Sequence, residues 1–84
     1  MDAVTGIMRT KKQSEIAGII LKAADQGMFL NVTEIHEMLS WQNAYGSLRK
    51  TLTSFEDRKL IVKERAGMSV LIKPTADLYH WFRN

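Results

Sequence analysis

Cysteine is absent from this 84-residue chain, so no disulfide staples it and no thiolate can serve as nucleophile or metal ligand. Histidine is scarce. His36 and His80 are the only two, and His80 with Asp77 offers just two possible ligands three residues apart, so no metal centre and no cofactor is expected. Long apolar runs are missing too: Ile19-Ile20-Leu21, preceded by Ala17 and Gly18, falls far short of the roughly 18 residues a bilayer crossing needs. A soluble protein with no membrane partner is therefore expected. The opening Met-Asp-Ala-Val-Thr-Gly-Ile-Met has neither the apolar run nor the small-residue cleavage site of a secretory signal, and residues 1–10 read as an N-terminal arm of a mature, cytoplasmic protein. No nucleophile, base and orienting group recur at an informative spacing, and no glycine-rich phosphate loop is present. An enzyme is not expected.

What is present is a single domain, 11–84, and one modest core must hold it. A chain this short hides only a little over 60% of its unfolded surface. The net charge of +3 is a weak hint of a polyanionic partner, but its placement says more. Residues 41–73 carry seven bases (Arg49, Lys50, Arg58, Lys59, Lys63, Arg65, Lys73) against three acids (Glu56, Asp57, Glu64), whereas the remaining chain is slightly acidic. The positive excess is local.

Thr10-Lys11-Lys12-Gln13 has the form of a capping box, followed by Ile16, Ile19, Ile20 and Ala23 at the spacing of one helix face, and Gly27 supplies a left-handed stop. The first helix is expected near 11–26. Asn31-Val32-Thr33-Glu34 is a second capping box; it opens a helix too short to persist alone, with Ile35, Met38 and Leu39 toward the core. Ser40-Trp41-Gln42-Asn43 breaks the pattern, and Trp41 there reads either as a core plug or as a stacking group. A third helix, 44–58, buries Leu48, Leu52 and Phe55 and leaves Tyr45, Gly46, Ser47, Arg49, Lys50 and Thr53 outside.

Leu60-Ile61-Val62 and Val70-Leu71-Ile72 open two β-rich runs around Ala66-Gly67-Met68-Ser69, a hairpin that needs support from the helices and from Met28–Leu30 as a possible third strand. Pro74 ends it, because proline cannot donate to a ladder. Thr75 is placed to cap a closing helix in which Leu78 and Phe82 share a face while Tyr79 and Trp81 point elsewhere. Three aromatics in four residues exceed the needs of so small a core, which suggests a second subunit.

Set together, these elements resemble the winged helix-turn-helix superfamily of bacterial, archaeal and phage regulators. The resemblance covers about residues 12–80. It rests on Asn-Val-Thr-Glu-Ile-His-Glu-Met-Leu at 31–39, Ser-Leu-Arg-Lys-Thr-Leu-Thr-Ser-Phe-Glu-Asp-Arg-Lys-Leu-Ile at 47–61 and Lys-Pro-Thr at 73–75. It implies an α+β fold: a three-helix core, a β-hairpin wing and a short C-terminal helix. The family's recognition helix commonly leads through a glycine into Leu-Val; here Lys59 stands at that position, so the left-handed conformation is either carried by a lysine or relaxed.

On this resemblance helix 44–58 enters the major groove of double-stranded DNA and hairpin 61–73 braces it as the wing. Arg49 and Lys50 are the candidates for base or phosphate contact, with Tyr45, Ser47 and Thr53 on the same face; otherwise they are solvated charges. Asn43, capping that helix, would turn backbone amides toward a phosphate. Lys63, Arg65 and Ser69 would meet phosphate or minor groove from the wing, as would Lys73, although edge lysines also serve only to block strand pairing. Arg9, Lys11 and Lys12 set positive charge against a helix dipole, which would make sense if the arm touched DNA. Ile7, Met8, Tyr79, Trp81 and Phe82, with Val4, are the candidates for a homodimer contact, since one module is a small interface for tight specific binding. A nucleoid-associated repressor acting by promoter occupancy is the expected role. A partition protein binding a plasmid or phage centromere uses the same chemistry, and a protein-interaction module within a larger assembly is the rival from another class.

Overall fold

The computed structural model describes residues 10–40 and 45–83, and the elements run α1 (Lys11–Asp25), α2 (Val32–Met38), α3 (Tyr45–Asp57), β1 (Ile61–Ala66), β2 (Ser69–Pro74) and α4 (Ala76–Arg83). Both capping boxes form. The Gln13 amide donates to Thr10 Oγ1 at 3.1 Å while the Thr10 amide donates to Gln13 Oε1 at 3.2 Å. The Glu34 amide donates to Asn31 Oδ1 at 2.8 Å, and the Asn31 amide to Glu34 Oε1 at 2.9 Å. Each box satisfies amides that the first helical turn leaves without intrahelical partners.

Two helices end in the same way. At the end of α1 the Gly27 amide donates to the Ala24 carbonyl and the Met28 amide to the Ala23 carbonyl, with Gly27 at φ 77. At the end of α3 the Lys59 amide donates to Glu56 and the Leu60 amide to Phe55, with Lys59 at φ 62. Both are Schellman motifs, and a lysine does carry the left-handed position in the second.

Between the first of these stops and Asn31 lie only Met28, Phe29 and Leu30. That leaves no room for a third strand, and Leu30 makes a single antiparallel bridge to Ile72, whose amide donates to the Leu30 carbonyl at 2.8 Å. The hairpin itself runs antiparallel from Ile61↔Pro74 to Ala66↔Ser69, closed by the two residues Gly67-Met68 with Gly67 at φ 63. Alternation puts Ile61, Lys63, Arg65, Val70, Ile72 and Pro74 on the inner face, where Ile61 and Ile72 are buried.

The core gathers Ile16, Ala17, Ile20 and Leu21 of α1, Ile35 of α2, Leu48, Leu52 and Phe55 of α3, and the base of the hairpin. Met38 is not part of it. The inward stripe of α2 runs through Val32, Ile35 and Leu39, about 100° of helix turn from Met38, which is 54% exposed. Trp81 corrects the expectation in the other direction: it is 7% exposed and meets Phe55 edge to face at 5.4 Å. Leu78, Trp81 and Phe82 stand at i, i+3 and i+4, one stripe, so Trp81 is a core residue and is unavailable to a second subunit.

Thr75 precedes α4 as expected, yet its hydroxyl turns back. It donates to the carbonyls of Lys59 at 2.7 Å and Leu60 at 3.0 Å, and its amide also donates to Leu60. The start of α4 is thereby tied to the corner between α3 and β1. A second long-range tie joins α1 to the end of α2: Glu15 accepts from the Ser40 amide at 2.7 Å and from the Ser40 hydroxyl at 2.8 Å.

Candidate nucleic-acid interface

α3 buries Leu48, Leu52 and Phe55, leaves Thr51 and Ser54 half-buried, and presents the rest of its first three turns to solvent. Gly46, Lys50 and Thr53 lie opposite the buried stripe. Tyr45 and Arg49 lie on the flank that faces the hairpin, and Ser47 on the other flank, where its carbonyl accepts from the Thr51 hydroxyl at 3.2 Å. All six are exposed. Tyr45 is steadied by His36 of α2, ring edge to ring face at 5.6 Å.

Between this flank and the hairpin opens a cleft of about 360 Å³. Asn31, Val32 and Thr33 at the start of α2, Tyr45, Arg49 and Leu52 of α3, and Lys63, Met68, Ser69 and Val70 of the hairpin line it. The fold thus brings Tyr45, Arg49, Lys63 and Ser69 to one concavity, with Lys50 and Thr53 on the outer face of the same helix and Arg65 exposed near the hairpin tip. Asn43, Trp41, Ile7, Met8, Val4 and Arg9 lie outside the described residues. The contribution of Asn31–Thr33 and of Met68 to this surface was not read from the sequence, since nothing local shows that the start of α2 and the hairpin tip converge on α3.

The cations divide into two groups. Lys63 pairs with Glu56 at 3.3 Å, and Lys73 pairs with Glu64 and lies over the Phe29 ring, 4.8 Å from its centroid. Exposed pairs of this kind hold by no more than about 1 kcal/mol, so they soften the field without locking it. Arg49, Lys50 and Arg65 make no ion pair among the described residues. Their donors are available to an external acceptor, and no acid occurs in α3 before Glu56. Among the described residues no group of three or more His, Asp or Glu could hold a metal ion, and no helix is long and apolar enough to cross a membrane.

No family model matches the chain, and no curated protein is significantly similar to it in sequence. Solved structures are similar to it in fold. AF1382 from Archaeoglobus fulgidus matches with a TM-score of 0.77 at 16% identity, over 98% of this chain and 87% of AF1382. MepR, a transcription regulator of the Staphylococcus aureus multidrug efflux pump MepA, matches at 0.74 and 21% identity, over 88% of this chain and 53% of MepR. ZitR of Lactococcus lactis, a zinc-responsive MarR family member, matches at 0.72 and 19% identity, over 99% of this chain and 55% of ZitR. The chain spans about half the length of MepR and ZitR. With four helices and an antiparallel two-stranded hairpin in this order, it has the winged helix-turn-helix fold, in which α2 and α3 form the helix-turn-helix and β1–β2 the wing.

Proposed function

We propose that the chain is a sequence-specific duplex-DNA-binding protein, a transcription regulator of the repressor type rather than an enzyme, working in the cytoplasm. α3 enters the major groove by its first half, and the β1–β2 hairpin braces the complex as a wing. The carrying observation is the exposure of Arg49 and Lys50 on that half of α3, with Arg65 near the wing tip, none of the three in an ion pair among the described residues. Arginine forks onto the O6 and N7 of guanine, and the remaining cations meet phosphates. Two modules about one helical turn apart double the contacts, so a homodimer is the working form, with the half-buried Tyr79 and Phe82 and the arm residues Ile7 and Met8 as its contact. Fold likeness to the transcription regulator MepR, and to the MarR family member ZitR, supports the same reading.

Selection from random duplexes with the purified protein, followed by sizing of the complex and a salt titration, tests it. An inverted repeat should be enriched, and affinity should fall by orders of magnitude between 50 and 200 mM salt if several phosphates are neutralised. Arg65→Ala should lower the salt slope by about one, while Arg49→Ala should blunt base preference by about 1–3 kcal/mol at one position. Binding of both variants indistinguishable from the parent, or no enriched duplex at all, would remove the mechanism.

A further inference from the structure

Met68 is fully exposed at the hairpin tip, at 101%, whereas no other large apolar residue described here exceeds the 54% of Met38. An apolar side chain held wholly in water gains nothing from burial in the free protein. Its neighbours are small: Ala66, Gly67 and Ser69 leave Met68 as the one bulky group at the end of the hairpin. The tip is also tight. Gly67 at φ 63 fixes a two-residue turn, and the strands behind it are rooted by buried Ile61 and Ile72 and by the bridge to Leu30. Arg65 stands on the strand just before the turn, and no acid occurs from Arg65 through Ala76. Met68 lies on the same cleft as Arg49 and Tyr45, so the tip and α3 address the same side of the molecule.

We infer that Met68 is a wedge that enters the minor groove beside the site read by α3 and parts a base step there, an inference that rests on the DNA-binding reading above. The minor groove is about 6 Å wide, too narrow for the paired strands themselves but open to the one slender side chain that projects from their small-residue tip. Methionine is among the apolar residues that insert between base pairs, and its unbranched thioether adapts to the gap it opens. Arg65 supplies positive charge for the phosphates that border the groove. The wedge costs least at pyrimidine–purine steps, TA above all, which unstack and kink easily. The protein therefore prefers such a step in the flank of its site, at a position that α3 does not touch.

The test uses the full chain and the duplex enriched by selection, labelled at its ends for energy transfer and carrying 2-aminopurine at the flanking step. The parent should bend the duplex by roughly 20–90° and raise the 2-aminopurine signal. Met68→Ala and Met68→Gln, which alter a fully exposed side chain, should fold as the parent does by circular dichroism and select the same α3-contacted bases. Both should leave the duplex straighter and the signal low, and their preference for TA over a GC step in the flank should fall from about tenfold to about one. A parent that binds without bending, or variants that bend and unstack as the parent does, would overturn the wedge while leaving the DNA reading intact. Absence of duplex binding by the parent would overturn both.

Discussion

The ends of α1 and α3 carry the same pair of backbone hydrogen bonds, yet they are built from different residues. α1 stops at Gly27, and the residue after it, Met28, is 52% exposed; α3 stops at Lys59, and the residue after it, Leu60, is 4% exposed. Glycine adopts the left-handed conformation freely, so the first terminus needs no further support. Lysine does so at a cost of about 1–2 kcal/mol, and the second terminus supplies what offsets it. Leu60 is sunk in the core, and the Thr75 hydroxyl and amide hold the carbonyls of residues 59 and 60 from the far side of the hairpin. A local rule is broken where tertiary contacts are dense and kept where they are sparse.

That contrast can be broken most forcefully at the residues following the two stops. Leu60→Ala should destabilise the protein by about 2–5 kcal/mol in urea unfolding, whereas Met28→Ala should stay within about 0.5 kcal/mol of the parent. Similar losses at the two sites would mean that the buried contact does not distinguish them. Gly27→Ala comes next. No atom lies within 4 Å of the added Cβ, so the expected loss of about 1 kcal/mol is purely conformational. The smallest change has the opposite sign: Lys59→Gly should stabilise by roughly 0.5 kcal/mol, strain relief being partly offset by the freer unfolded chain. A measured destabilisation would show that lysine is held there by something other than tolerance.

Much of this frame is legible in the sequence. Thr10/Gln13, Asn31/Glu34 and Gly27 announce helix ends through short-range chemistry, and Gly67 between two β-branched runs announces a hairpin. The left-handed residue at 59 was readable only through resemblance, because nothing about lysine itself points to it. What escaped depends on contacts distant in sequence. Pairing Leu78 with Phe82 alone points Trp81 outward; its i+3 spacing from Leu78 puts it on the same stripe, which is wider than one row. Met38 reads as inward because its helix is too short to show its phase. For the candidate interface, exposure of Tyr45, Ser47, Arg49, Lys50 and Thr53 followed from helical periodicity. The pairing of Lys63 with Glu56 spans α3 and β1 and had no local signal, whereas Glu64 with Lys73 is diagonal in the ladder and could have been read once the register was known.

The bond between Glu15 and Ser40 has a wider effect than its exposed position suggests. One carboxylate grips the trailing end of a seven-residue helix by both oxygens, while Asn31 and Glu34 lock its leading end. α2 is thus pinned to α1 at its trailing end and closed on itself at its leading end, and α3 packs against it. A tie of this kind orients the helix that α3 packs against before any partner arrives, which lowers the ordering that contact would otherwise require.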